Sequence, residues 1–217
     1  MKCFNILIFY ITNCISTVFF EDIAKRVNEA VAKTREVIKA NSEQRGQNMS
    51  EEEIDNIAEK VGIGAVIYTY VKSGRERDIV FSWEEMLDFE GDTAPYLMYT
   101  YARIKSILRK AQEQGIVPAK DNDKIALLTS DEEYNVIRTV ADFPDSVKKA
   151  AASNEPFMIS RQIALVARSF NRFYNNSSIL NADSEEQKVA RLALCEAVAD
   201  TLKSGLDLLG IGVVERM

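Results

Sequence analysis

The sequence predicts a mostly α fold: an all-α bundle over residues 91–217, preceded by a short mixed α/β segment over residues 18–90 and an apolar stretch at residues 1–17. Three observations lead there. Apolar residues recur at steps of three and four along most of the chain, which is the period of one helix face. Helix starts are marked again and again by a serine or threonine with glutamate three positions on, or with proline in the first turn. No internal repeat or low-complexity stretch interrupts the pattern. At 217 residues, 47% apolar and 28% charged, the chain has the size and composition of a folded soluble protein with a real core.

Taken in order, Ile23, Val27, Ala30, Val31, Thr34 and Ile38 stand at helical spacing and predict a helix from about Glu21 to Ala40. Asn41 to Asn48 is polar and reads as a loop. Ser50-Glu51-Glu52-Glu53 is a capping box that opens a second helix, with Ile54, Ile57, Ala58 and Val61 inward and Gly62 as its stop. Gly64 to Val71 is apolar and β-branched, a run in which local pattern does not separate strand from buried helix. Ser73-Gly74-Arg75 is a turn signal, and Asp78 to Trp83 alternates like a short strand.

From Asp92 the chain reads as helix throughout. Asp92-Thr93 is a cap, and Pro95 sits in the first turn, where a missing N–H breaks no bond. That helix runs to about Glu113, where Gly115 and Pro118 end it. Ser130 to Glu133 is a second capping box, whose helix stops near Phe143-Pro144. Asp145 to Ser153, Phe157 to Asn175 and Ser184 to Leu209 complete the bundle, the last helix ending at Gly210.

Several functions are excluded by composition. The net charge of −6 gives no global positive field, so any contact with nucleic acid has to come from local basic faces. With no histidine, the chain alone builds no Ser-His or Cys-His nucleophile, no His-ligated metal site and no histidine base. Cys3, Cys14 and Cys195 form no paired spacing and read as reduced thiols of a cytoplasmic protein. Gly62-Ile63-Gly64 lacks the third glycine of a dinucleotide loop, and the acidic clusters at Glu51 and Asp131 sit at helix starts, where capping accounts for them. No catalytic residue, metal ligand or cofactor site is expected. The apolar run near the start is too short and too interrupted for a membrane span, and no membrane association is expected.

Two helices carry a second face. In the Thr93 helix, Leu97, Tyr101, Ile104, Leu108 and Ala111 cluster within roughly 40° of one direction and form the core stripe. Tyr96, Tyr99, Arg103 and Lys110 fall roughly 200° to 260° away. Aromatic rings beside cationic side chains suit single-stranded RNA, whose bases stack on the rings while Arg or Lys holds phosphate. The same pattern also suits tyrosines that merely pack on a neighbouring element with their hydroxyls in water. In the Phe157 helix, Ile159, Ile163, Val166, Phe170 and Phe173 form the seam, and Arg161, Arg168 and Arg172 lie opposite. No acidic residue occurs between Glu155 and Asp183. That stripe is either a solvated face or a surface for the RNA backbone.

Several strings resemble one family. Val61-Gly62-Ile63-Gly64-Ala65-Val66 is similar to the buried segment that ends the catalytic region of arginyl-tRNA synthetases, which are class I enzymes. The stretch Val80-Phe81-Ser82-Trp83 through Asp92-Thr93-Ala94-Pro95-Tyr96 resembles their join to the anticodon-binding helices. Tyr99-Thr100-Tyr101-Ala102-Arg103-Ile104, Phe170-Asn171-Arg172-Phe173-Tyr174 and Arg191-Leu192-Ala193-Leu194-Cys195 continue the likeness. So do Gly205 to Ile211 and Glu215-Arg216-Met217. It runs from about Val18 to the last residue.

The resemblance implies an arginine–tRNA ligase C-terminal part with tRNA(Arg) as its partner. It places anticodon reading on Tyr96, Tyr99, Arg103 and Met217, while the basic faces read from the helical wheels offer Lys110, Arg161, Arg168 and Arg172 as candidate RNA backbone contacts. Full-length members use ATP to form an arginyl-adenylate. Their His-x-Gly-His type motif has no counterpart in a chain without histidine, and the lysine-rich loop expected just before Val18 is replaced by the apolar stretch. Met49-Ser50 is no substitute for it. Many members have histidine where this chain has Tyr101, a core position on the wheel. The expectation is therefore a chain that binds tRNA, needs no cofactor of its own and forms no adenylate alone. Residues 1–17 read as sequence unrelated to the family on a truncated synthetase, and a separate catalytic chain is an implied partner. The alternative is a stand-alone helical protein-interaction module without tRNA binding.

Overall fold

The computed structural model describes residues 17–44, 49–74, 76–182 and 184–217, with the side chains of 17–23, 44 and 122 excepted. The apolar leader read at residues 1–17 lies outside them save for Thr17. Among the described residues there are nine helices and no strand: α1 (Thr17–Gln44), α2 (Glu51–Val71), α3 (Trp83–Met86), α4 (Ala94–Glu113), α5 (Asn122–Ile125), α6 (Asp131–Ala141), α7 (Phe143–Ser153), α8 (Phe157–Asn176) and α9 (Glu185–Leu208). None of the described helices is long and apolar enough to cross a membrane.

The capping signals are realised as written. The Ser50 and Ser130 hydroxyls each accept the N–H of the glutamate three residues on, and each glutamate takes the serine N–H in return. Thr93 accepts the Tyr96 N–H at 3.2 Å and donates its own proton to the Asp88 carbonyl, which fixes how the chain enters α4.

The segment before α4 departs from the sequence reading in three ways. Gly62 does not stop α2, which runs on to Val71 and absorbs the undecided stretch from Gly64. Its role is proximity: a Cβ there would lie 2.8 Å from the Val31 backbone, so glycine lets α1 and α2 cross closely. The pairs Arg35 with Asp55 and Lys39 with Glu51 show that the two run antiparallel. Asp78 to Trp83 is not a strand. Val80 is 84% exposed, no strand pairs with the segment among the described residues, and Ser82 instead caps the short helix α3. Helix α1 continues through Asn41 to Gln44, where a loop was expected.

In the bundle, the boundaries of the expected helices agree within about two residues, and α7 begins at Phe143 rather than Asp145. A single residue, Asp142, joins it to α6, and Pro144 sits in its first turn. The predicted seams are buried: Leu97, Tyr101, Ile104 and Ala111 of α4, and Ile159, Ile163, Val166, Phe170 and Phe173 of α8. Leu108 is half-buried against the same core. That core also takes in Ile54, Ile57, Ala58, Val61 and Tyr68 of α2, together with Leu192, Val198, Leu202 and Leu206 of α9. Helices α6 and α9 are tied by a buried ion pair. Arg191 donates from Nε to Glu133 at 2.7 Å and from a terminal nitrogen to the Ser178 carbonyl at 2.7 Å, and Glu133 is 1% exposed.

After Gly210, in the left-handed region at φ 76°, the final residues return along α2 and α4. Ile211 and Val214 are buried, and Ile211 and Met98 close over Gly64. Glu215 pairs with Lys105 at 3.3 Å and Arg216 with Glu53 at 3.7 Å. This tail carries Met217 to the surface formed by α4 and α8.

Candidate nucleic-acid interface

The residues singled out on the outer face of α4 lie where α4 meets α8. Two clefts adjoin there. One, of about 440 Å³, is lined by Tyr96, Tyr99, Arg103, Asn171 and Met217, with Phe89 and Met49 at its edge. The other, of about 680 Å³, continues past Arg103 to Arg109, Lys110, Tyr174, Ser178 and Arg216. Tyr99, Arg103, Asn175 and Met217 line both, so they form the ridge between them.

Arg103 is the most constrained side chain on that ridge. Its guanidinium lies 4.8 Å from the centre of the Tyr99 ring and 4.9 Å from that of Tyr174, within cation–π range of both. One terminal nitrogen donates to Asn171 Oδ1 at 2.7 Å. The Asn171 amide nitrogen then donates to the Tyr96 hydroxyl and to Thr100 Oγ1, each at 2.9 Å. Tyr99 meets Phe89 edge-on at 6.5 Å, and Tyr174 stacks on buried Phe170 at 6.2 Å. Two helices therefore hold three tyrosines and one arginine in fixed relative positions, and part of each ring is open to a cleft.

The structure brings Tyr96, Tyr99, Arg103 and Met217 together, as their grouping in the sequence anticipated, and sets exposed Lys110 beside them in the second cleft. It does not bring Arg161, Arg168 and Arg172 into either cleft. These three are exposed on the outer side of α8, and none has a carboxylate partner among the described residues. Asn171, Tyr174, Thr100, Phe89, Arg109 and Arg216 were not singled out from the sequence. For Asn171 a signal existed: asparagine is a poor helix former, and this one stands mid-helix between two core phenylalanines.

Among the described residues, no cysteine or histidine lines either cleft. Burial pushes the Cys195 thiol up to about 12, and it lies in the core. Burial and then neighbouring Asp92 raise the Tyr68 phenol well above its ordinary range. Its hydroxyl donates to Asp92 at 2.8 Å and reaches the Ser160 carbonyl at 3.3 Å, tying α2 to the start of α4 and to α8. Among the described residues no cluster of three or more His, Cys, Asp or Glu side chains is placed to hold a metal.

An all-α bundle that gathers aromatic rings, one clamped guanidinium and further cations along adjoining clefts has the chemistry of a single-stranded nucleic-acid-binding domain. Residues 97–217 match the DALR anticodon binding domain, and the chain belongs to that family. It is 45% identical over 202 residues to the arginine–tRNA ligase of Clostridium perfringens, covering 93% of this chain and 34% of that protein. With the arginine–tRNA ligase of Clostridium acetobutylicum it shares 46% identity over 200 residues, covering 92% and 33%. Among solved structures, the arginyl-tRNA synthetase of Thermus thermophilus superposes with a TM-score of 0.78 at 31% identity, over 90% of this chain and 32% of that one. The likeness is to the C-terminal region of such synthetases, and the chain spans about a third of the length of the curated relatives it matches.

Proposed function

We propose that this chain binds the anticodon loop of tRNA(Arg), as the anticodon-reading part of an arginine–tRNA ligase. The observation that carries the reading is the fixed array on α4 and α8. Tyr96 and Tyr99 offer rings to unpaired bases, and Arg103 is held between two rings with donors left over for a base edge or a phosphate. Met217 closes the ridge as an adaptable apolar contact. Lys110, with Arg161, Arg168 and Arg172, supplies charge to the RNA backbone on either side of that array.

ATP-dependent arginylation, the activity implied by the relatives' names, draws on a whole of which this chain is about a third. The chain contributes recognition, and adenylate formation falls to the remaining two thirds, whether on the same polypeptide or on a separate catalytic chain. ATP is accordingly a ligand of that other part. The setting that suits this work is the cytoplasm.

The test is a titration of the full chain with tRNA(Arg) and with the same tRNA carrying a substituted anticodon. Tight binding to the first and weak binding to the second is expected. Equal affinity for both, or for neither, would sink the reading and leave the bundle as a protein-interaction module, to be tested by nuclease-resistant co-purification of a partner. Incubation of the chain alone with ATP and arginine should yield no pyrophosphate exchange.

A further inference from the structure

Asn171 closes a small network whose proton directions are fixed by valence. A guanidinium only donates, so the atom facing Arg103 at 2.7 Å has to be the amide oxygen. The Thr100 hydroxyl spends its single proton on the Tyr96 carbonyl at 2.9 Å, so towards Asn171 it accepts. The amide therefore has one orientation, and its second N–H points at the Tyr96 hydroxyl, which accepts it at 2.9 Å. That leaves the Tyr96 proton directed away from Asn171. Among the described residues nothing accepts it, and Tyr96 lines the first cleft beside Arg103.

We propose that Asn171 is a specificity-determining positioning residue. By holding the Tyr96 hydroxyl as a donor and anchoring Arg103 next to it, it makes this part of the cleft a pair of neighbouring donors. Such a pair selects the acceptor edge of an unpaired base, a carbonyl oxygen with an adjacent unprotonated ring nitrogen, over an edge carrying an amino group. The inference rests on the anticodon-loop reading and adds what the site selects. Asn171 need not touch RNA: it acts through the proton of Tyr96 and the placement of Arg103.

The experiment measures binding of the full chain to tRNA(Arg) variants carrying each base at each anticodon position, with thermal melts to confirm folding. In Asn171→Asp the carboxylate accepts from both Tyr96 and Arg103, so the tyrosine proton turns back from the cleft. Base discrimination at one anticodon position should fall roughly five- to tenfold, the scale of one well-made hydrogen bond. Tyr96→Phe should lose the same discrimination at the same position, and the double variant should lose no more than Asn171→Asp alone. Wild-type discrimination in Asn171→Asp, or additive losses in the double variant, overturns the inference. Should Asn171→Asp fail to fold, Tyr96→Phe decides alone, since it removes only the hydroxyl: unchanged base ratios overturn the inference. A wild-type chain that does not tell anticodon variants apart sinks the anticodon-loop reading itself.

Discussion

The cleft edge of α8 and its outer stripe use similar residue types at similar helical spacing, yet they are different kinds of surface. On the cleft edge, Asn171 and Tyr174 reach across to α4 and fix Arg103 between two rings. On the outer stripe, Arg161, Arg168 and Arg172 stand in solvent without carboxylate partners among the described residues. Immobilised groups have already lost their rotamer freedom, so a ligand that meets them is read by shape and hydrogen-bond direction. Mobile cations attract any polyanion. A cationic residue becomes a reader only when neighbouring side chains fix its direction.

The change with the largest expected effect removes the frame under both surfaces. Glu133→Ala leaves Arg191 buried without its partner and should cost about 3–5 kcal/mol of stability by denaturant unfolding, with loss of binding to matched and substituted anticodons alike. The same group sets an acid limit. Burial opposes its ionisation, but the Ser130 N–H and the Arg191 guanidinium outweigh that, and Glu133 titrates below its ordinary 4.5. Its stabilisation is therefore complete at neutral pH and is lost as pH falls through and below that value; a wild-type melting temperature unchanged down to pH 3 would refute the sign.

Within an intact frame, Arg103→Ala should weaken tRNA(Arg) by about 2–3 kcal/mol while barely affecting the substituted-anticodon control, because it removes charge-assisted bonds from the reading surface. Tyr99→Ala and Tyr96→Ala should each cost roughly 1–3 kcal/mol by the same measurement, through lost base stacking. Smallest is the outer stripe. Arg161→Ala, Arg168→Ala and Arg172→Ala should each weaken both tRNAs equally and lower the slope of log affinity against log salt by about 0.7–0.9. Should any of these three change anticodon discrimination, the distinction between the two surfaces fails.

Much of this was legible in the sequence because it is local. Both capping boxes, the proline in the first turn of α4 and the apolar seams of α4 and α8 depend on residues within a turn or two of each other. Tyr101 reads as core from the wheel alone and is 4% exposed. The strand expected at Asp78 to Trp83 failed because alternation becomes a strand only beside a partner, and among the described residues no strand is there to pair with it. Gly62 was misread because a glycine that permits a close helix crossing looks in sequence like one that ends a helix. The α8 partners of Arg103 were missed for the same non-local reason: Asn171 lies 68 residues from Arg103 and meets it only when α8 packs on α4.

The main core takes no notice of the join at Glu90-Gly91. Ile54, Val61 and Tyr68 share it with Leu97, Ile163 and Leu206, and the Tyr68 hydroxyl spans that join to Asp92. This bears on portability. A transplant of residues 91–217 into another host would carry bare apolar surface where α2 had been, and would lose the strut that aims the first turn of α4. A graft that keeps its aim has to bring α2 as well, so the α4–α8 surface and the helix behind it travel as one cassette.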